Sequence, residues 1–380
     1  MSGWFQSSLW AASLVSLPFL LGITPQAAAQ SVAITQIATG DYHNCALQDT
    51  GEAWCWGGGL SGQLGNGTRS SSTLPVRVVN LNQIAQIDTG GTHSCALREN
   101  GRVACWGGNF NGQLGNDSAT DSSWPIIVQG LRNVSQIATG RYHSCALRDD
   151  RLLCWGRNSN GQLGNDSTTN SPVPILARGR NYTQVAAGEE HTCALRENGR
   201  VFCWGDNTYG QLGNNSTDPS TIPVRVRRIT DAVAITAGNW HSCAIRANGR
   251  TQCWGRNNWG GIGDGTRSTR LVPTNVTRLG DTVAVDAGLF HTCAVRGNGR
   301  ARCWGHNTSG QLGNGSEQSF SAERLPVRNL NNVTDIATGW AHSCGLRSDG
   351  RMFCWGRNAE GQLGNGTQDD ADPRVEVQFP

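Results

Sequence analysis

Short runs of alternating apolar and polar residues, each closed by a turn signal, recur along the whole chain. One stretch shows the pattern. IAQIDTG (Ile84–Gly90) alternates and ends on glycine, and HSCALR (His93–Arg98) is the next run. RVACWG (Arg102–Gly107) follows a Glu-Asn-Gly turn, and PIIV (Pro125–Val128) comes after a long polar loop. None of these pieces shows helical spacing over three turns, so they predict strands, four to a unit.

The unit returns seven times. Cys-Trp-Gly begins at Cys55, Cys105, Cys154, Cys203, Cys253, Cys303 and Cys354, and His-x-Cys at His43, His93, His143, His191, His241, His291 and His342, a period close to 50 residues. Four short strands per repeat of this length is the blade pattern of a propeller, and closing the ring largely removes exposed sheet edges. The prediction is an all-β chain, a seven-bladed β-propeller of four-stranded antiparallel blades over residues 30–380. VAITQIATG (Val32–Gly40) supplies a first strand and PRVEVQF (Pro373–Phe379) a last one, so none is orphaned. Whether the terminal strands share a blade is left open.

Hairpin arithmetic places the cysteines. Arg98 and Arg102 flank a three-residue loop ending in Gly101, which suits a type I turn with glycine in the left-handed position. Extending that pairing sets Cys95 across from Cys105. The same register pairs Cys45 with Cys55, Cys193 with Cys203, Cys243 with Cys253, Cys293 with Cys303 and Cys344 with Cys354. The third repeat has the two-residue loop Asp149-Asp150, and its cysteines, Cys145 and Cys154, are closer by one, so they stay opposite. Directly opposed strand positions lie within disulfide reach. Seven intra-blade disulfides are therefore expected, each closing a loop of about eleven residues and adding at most roughly 2–3 kcal/mol. Metal ligation is the alternative, because His and Cys two apart on a strand share a face. Structural zinc sites favour CxxC or HxxxH-like spacing in loops, which is absent, so no metal and no cofactor are expected. The repeated histidine is read as structural, hydrogen-bonding backbone at the strand start.

The first 29 residues differ from the rest. Trp10 to Ile23 is an uncharged apolar run, short for a membrane span, and Ala27-Ala28-Ala29 offers small residues to a signal peptidase. The expectation is a signal peptide over residues 1–29 and a secreted or periplasmic mature chain, a setting in which disulfides persist. No Lys or Arg precedes the run, which keeps a retained anchor in play. Net charge is +3, every one of the 31 basic residues is arginine, and no single-sign run occurs, so nothing speaks for nucleic acid. No Ser/His/Asp set or paired carboxylate stands out. His306, the one histidine outside the repeated position, is given no role. GGGLSGQLG (Gly57–Gly65) lacks the P-loop lysine. The sequons at Asn66, Asn116 and Asn314 are read as Asx turns.

The unit GxxHsCAL…nGrvxCWGxNxxGQLGN, as at Gly188–Asn214, resembles the regulator of chromosome condensation repeat over about residues 32–378. GQLGN is intact from Gly62, Gly112, Gly161, Gly210, Gly310 and Gly361, and the fifth copy departs as Gly260-Gly261-Ile262-Gly263-Asp264. The resemblance implies a seven-bladed propeller. For function it implies either guanine-nucleotide exchange on a small GTPase or, as in exported inhibitors of this fold, clamping of another protein with one propeller face. The leader, the missing basic tail and repeat lengths that leave no long inserted loop favour the second.

Comparing the seven copies shows where the chain is free to vary. One spot is the pair between Gly and His: Asp41-Tyr42, Gly91-Thr92, Arg141-Tyr142, Glu189-Glu190, Asn239-Trp240, Leu289-Phe290 and Trp340-Ala341. The other is the xx of WGxNxxG, which includes Phe110, Tyr209 and Trp259. In an antiparallel blade both spots emerge on one face. Tyr42, Phe110, Arg141, Tyr142, Tyr209, Trp240, Trp259, Leu289, Phe290 and Trp340 are the candidate partner-binding residues, since exposed aromatics on a rigid scaffold suit binding hot spots. Aromatics also pack between blades, and the Cys-Trp-Gly tryptophans are assigned to packing. The expected role is a monomeric, non-enzymatic binding module for a protein or a glycan. A hydrolase or lyase using the central channel would need an acid/base cluster there, which comparing the repeats does not reveal.

Overall fold

The computed structural model describes residues 33–380, so the expected leader lies outside the described residues. The 28 strands form seven four-stranded sheets, each taking its strands in chain order. In the first blade β1 (Ile34–Thr39) pairs with β2 (His43–Gln48), β2 with β3 (Ala53–Gly57) and β3 with β4 (Ser72–Arg77), all antiparallel. Every blade is one repeat, and among the described residues no strand is exchanged between the chain ends. The β1 equivalents line a central channel. The outer strand of the second blade runs Ser122–Ile127, starting earlier than its apolar letters suggest because Ser122 already pairs with Gly107. Among the described residues no helix is long and apolar enough to cross a membrane.

The predicted register holds. Leu97 faces Val103, Arg98 N–H donates to the Arg102 carbonyl at 2.8 Å, and Gly101 turns the chain at φ 73°. In the third blade Arg148 faces Arg151 across the shorter turn. All seven disulfides form within blades, with Cα atoms 4.1 Å apart. Their sulfurs are buried in the apolar clusters that fill the spaces between neighbouring blades.

The blades are joined by one contact set, repeated. The seven Cys-Trp-Gly tryptophans are fully buried, and Trp204 Nε1 donates at 2.9 Å to the carbonyl of Gln162 on the preceding blade. The repeated histidines act between blades as well. His143 Nε2 lies 2.8 Å from the Thr192 hydroxyl of the next blade, whose own proton goes to the Gln162 carbonyl at 2.8 Å. The histidine must therefore donate, which fixes its tautomer. This corrects the expectation that these histidines bond backbone. Burial keeps them neutral, with pKa values lowered to about 3, and to about 4 for His191. The ring closes through the same contacts with one change of letter. Asn44 stands where the other copies have Ser or Thr, accepts from His342 at 2.7 Å, and donates to the Gln362 carbonyl at 2.6 Å.

Candidate functional site

The fixed letters of each repeat hold the loops that display the variable ones. Asn158 shows how. Its Nδ2 donates to the carbonyls of Ser167 and Thr169 at 2.9 and 3.0 Å, and its Oδ1 accepts from the N–H of Leu163, a fully buried residue, at 2.9 Å. Gln162 Oε1 accepts from Asn160 N–H at 3.0 Å. The loop is thus cross-braced, and the two residues between Asn158 and Gly161 are what it presents.

The structure brings part of the candidate set together. Tyr209 and Trp240 meet edge to face at 5.4 Å, and Trp259 and Phe290 converge on His306 at 4.6 and 6.2 Å. Phe320 joins Trp259 at 6.3 Å. The Arg256 guanidinium sits among these rings, 4.6 Å from Tyr209, 4.8 Å from Phe290 and 5.8 Å from Trp240. Arg267 covers Phe320 at 4.6 Å. The rings over the fourth to sixth blades are all half-buried, so they are fixed yet reachable. Tyr42 and Trp340 form a second pair at 5.6 Å across the closing seam, with Arg357 over Trp340 at 5.1 Å. Tyr142 lies between Arg141 and Arg157, at 5.2 and 5.6 Å. Leu289 is half-buried beside Phe290 in the chain. Phe110 is 87% exposed and touches none of these rings.

Sequence reasoning missed Arg157, Arg256, Arg357 and His306. They occupy a third variable column, the residue after Cys-Trp-Gly: Gly58, Gly108, Arg157, Asp206, Arg256, His306 and Arg357. His306, given no role from the sequence, is the hub between Trp259 and Phe290, held by Gln311 at 2.9 Å, and burial lowers its pKa.

Arg141 packs on Tyr142 but stands apart from the cluster over the fourth to sixth blades. It turns to the mouth of the channel, where it pairs with Asp41 at 2.9 Å and with Glu189, and Asn239 braces Glu189 at 3.1 Å. To reach Asp41 it passes over the second blade. A Cβ on Gly91 would stand 2.7 Å from the Arg141 side chain, so that blade must carry glycine there. Burial raises the Asp41 pKa to about 6 against the pull of Arg141.

The channel, a cavity of about 380 Å³, corrects a second expectation. It does hold carboxylates: Asp88, Asp286 and Asp335, with Asp41 and Glu189 at the mouth. The signal was in the first strands, at columns where other copies carry Gln, Ala or Thr. Gln36, Gln86, Gln136 and Gln184 each accept from a backbone N–H of the next blade's first strand, at 2.9–3.0 Å, so side chains tie the inner strands together. Asp88 and Asp286 brace in the same manner. Asp88 accepts from Thr139 N–H at 2.8 Å, and Asp286 accepts from the hydroxyls of Thr236 and Thr338, both at 2.8 Å. Burial raises Asp88 and Asp335 to about 6 and raises Asp286 as well. Among the described residues no group of three or more His, Cys, Asp or Glu is placed to hold a metal ion.

The chain matches the RCC1-like domain family model over residues 16–226 and again over 80–379. Human WBSCR16 superposes with a TM-score of 0.78 at 24% identity, covering 87% of this chain and 94% of that one. Prp20p from Saccharomyces cerevisiae, whose structure is described with its binding properties to Gsp1p and histones, gives a TM-score of 0.76 at 23% identity over 92% and 88%. The ultraviolet-B receptor UVR8 of Arabidopsis thaliana is 34% identical over 64 residues, which are 17% of this chain and 14% of the receptor's length.

Proposed function

We propose that this chain, which belongs to the RCC1-like domain family, is an exported, monomeric binding module that offers the loop face of its propeller to a protein partner. One observation carries the reading: half-buried aromatic rings of three adjacent blades, locked around Arg256 on braced loops. Rigid rings of this kind give large contact area with little side-chain entropy left to lose, which is what binding hot spots require. The seven buried disulfides support action in an oxidising compartment, and the apolar run Trp10–Ile23 is in keeping with export. Prp20p, a similar propeller, is described as binding proteins.

The test starts from intact, oxidised protein and a variant with Tyr142, Trp240, Phe290 and Trp340 changed to Ala. Both are used to capture partners from an extracellular or periplasmic fraction. The partner is identified by mass spectrometry, purified and titrated against each form. The expected loss is at least about tenfold in Kd, roughly 1.4 kcal/mol. Equal affinity for the two forms would remove the loop face from the reading. Accelerated nucleotide release from a small GTPase by the pure chain would replace it with exchange activity.

A further inference from the structure

We infer that the loop face recognises an acidic segment of its protein partner, with Arg256 receiving an Asp or Glu carboxylate. This rests on the loop face being the binding surface, and it names the chemistry of what binds there.

The molecule contains its own template. Arg157 and Arg256 occupy the same repeat position, directly after Cys-Trp-Gly. Each lies beside the aromatic residue just before the histidine of its own blade, Tyr142 at 5.6 Å and Trp240 at 5.8 Å. They differ in what the next blade supplies. Glu190 of the fourth blade pairs with Arg157 at 2.7 Å. The residue equivalent to Glu190 on the sixth blade is Phe290, whose ring stands 4.8 Å from the Arg256 guanidinium. Among the described residues Arg256 has no carboxylate within ion-pairing distance and no side-chain hydrogen bond, and its buried Nε has no partner. Arg357 repeats the arrangement, with Trp340 beneath it and Tyr42, not an acid, in the equivalent place on the first blade.

A guanidinium carries five donors in a planar fork made for a carboxylate, and aromatic neighbours strip water from it without using those donors. Arg256 is half-buried, so part of that fork is open to the face. A partner's carboxylate set as Glu190 is set on Arg157 would satisfy it. Apolar residues flanking that carboxylate would then rest on Tyr209, Trp240, Phe290 and Trp259. The rings stand at 62–89° to one another around Trp240 and His306, giving edges and pockets and not the flat platform on which a sugar ring stacks. This favours a peptide over an acidic glycan.

Random peptides displayed on phage are selected on the intact, oxidised chain, and a selected peptide is titrated as a fluorescein-labelled probe. Enrichment of Asp or Glu beside apolar residues is expected. Changing the acid to its amide should weaken Kd at least about tenfold. R256Q should weaken the acidic probe by a similar factor and leave the amide probe unchanged, since a lost pair is counted once in a double-mutant cycle. F290E, which restores the carboxylate that Glu190 provides to Arg157, should block the acidic probe as well. It keeps the test available if R256Q loses cooperative urea unfolding. R102Q, on the opposite face, should change nothing. Probe binding that falls with W240A but not with R256Q or F290E would overturn the acidic anchor and leave the loop face standing. Binding indifferent to all three would overturn both. Failure to select any peptide, with saturable binding of polygalacturonate lost in R256Q, would overturn the peptide in favour of an acidic glycan.

Discussion

Two halves of the loop face use the same scaffold and treat charge in opposite ways. Over the first, third and fourth blades the chain neutralises itself. Arg141 is clamped by Asp41 and Glu189, and Arg157 by Glu190. Over the fifth to seventh blades Arg256 and Arg357 rest on Trp240, Phe290 and Trp340, with no acid within ion-pairing distance among the described residues. The backbone and loop bracing are common to both halves. A repeat protein can thus make a closed surface or an open one by changing a single column, here Glu190 against Phe290.

The largest expected effect strikes what both halves share. Each inter-blade histidine has a folded pKa of about 3 to 4, below its ordinary 6.5, so its contribution to stability is present above pH 6.5 and is lost as pH falls. Asp41, Asp88 and Asp335, raised to about 6, and Asp286, also raised, act in the reverse sense: the folded state holds their protons more tightly, so their contribution grows as pH falls. Seven histidines outnumber these four carboxylates, so protons are taken up on unfolding and stability falls with pH between pH 6 and 4. Urea unfolding across that range should show the slope, and a flat profile would refute neutral histidines between the blades.

Trp204→Ala opens a cavity at the junction of the third and fourth blades and should cost about 3–5 kcal/mol by the same measurement. The double change C193S and C203S should cost at most about 2–3 kcal/mol. Neither should alter one half of the face more than the other once folding is allowed for. Sharper discrimination comes from the face itself. R256Q should cost an acidic probe about 1.4 kcal/mol, the tenfold loss already described, with little change in urea midpoint. The smallest effect is the most pointed. E190F gives Arg157 the surroundings of Arg256. It should lower stability by no more than about 1 kcal/mol, since the ion pair is partly solvated, and should add a second site for the acidic probe by fluorescence titration.

The framework of a single repeat was legible in the sequence. Strand number and order, the three-residue turn at Gly101, the opposition of Cys95 to Cys105 and the shift-by-one in the third blade follow from periodicity and hairpin geometry, which act within about 50 residues. Two variable columns, between Gly and His and in WGxNxxG, were read by comparing the seven copies, while the third, after Cys-Trp-Gly, was in the same comparison and was passed over. What only the tertiary structure decided lies between repeats. It turned Arg141 inward over Gly91 and gathered Arg256, Trp259, Phe290 and His306 from adjacent blades. It set the histidines on their neighbours' hydroxyls and let Asn44 close the ring. Those contacts depend on the rotation and tilt relating one rigid blade to the next. That relation comes from the packing of whole sheets and leaves no period along the chain.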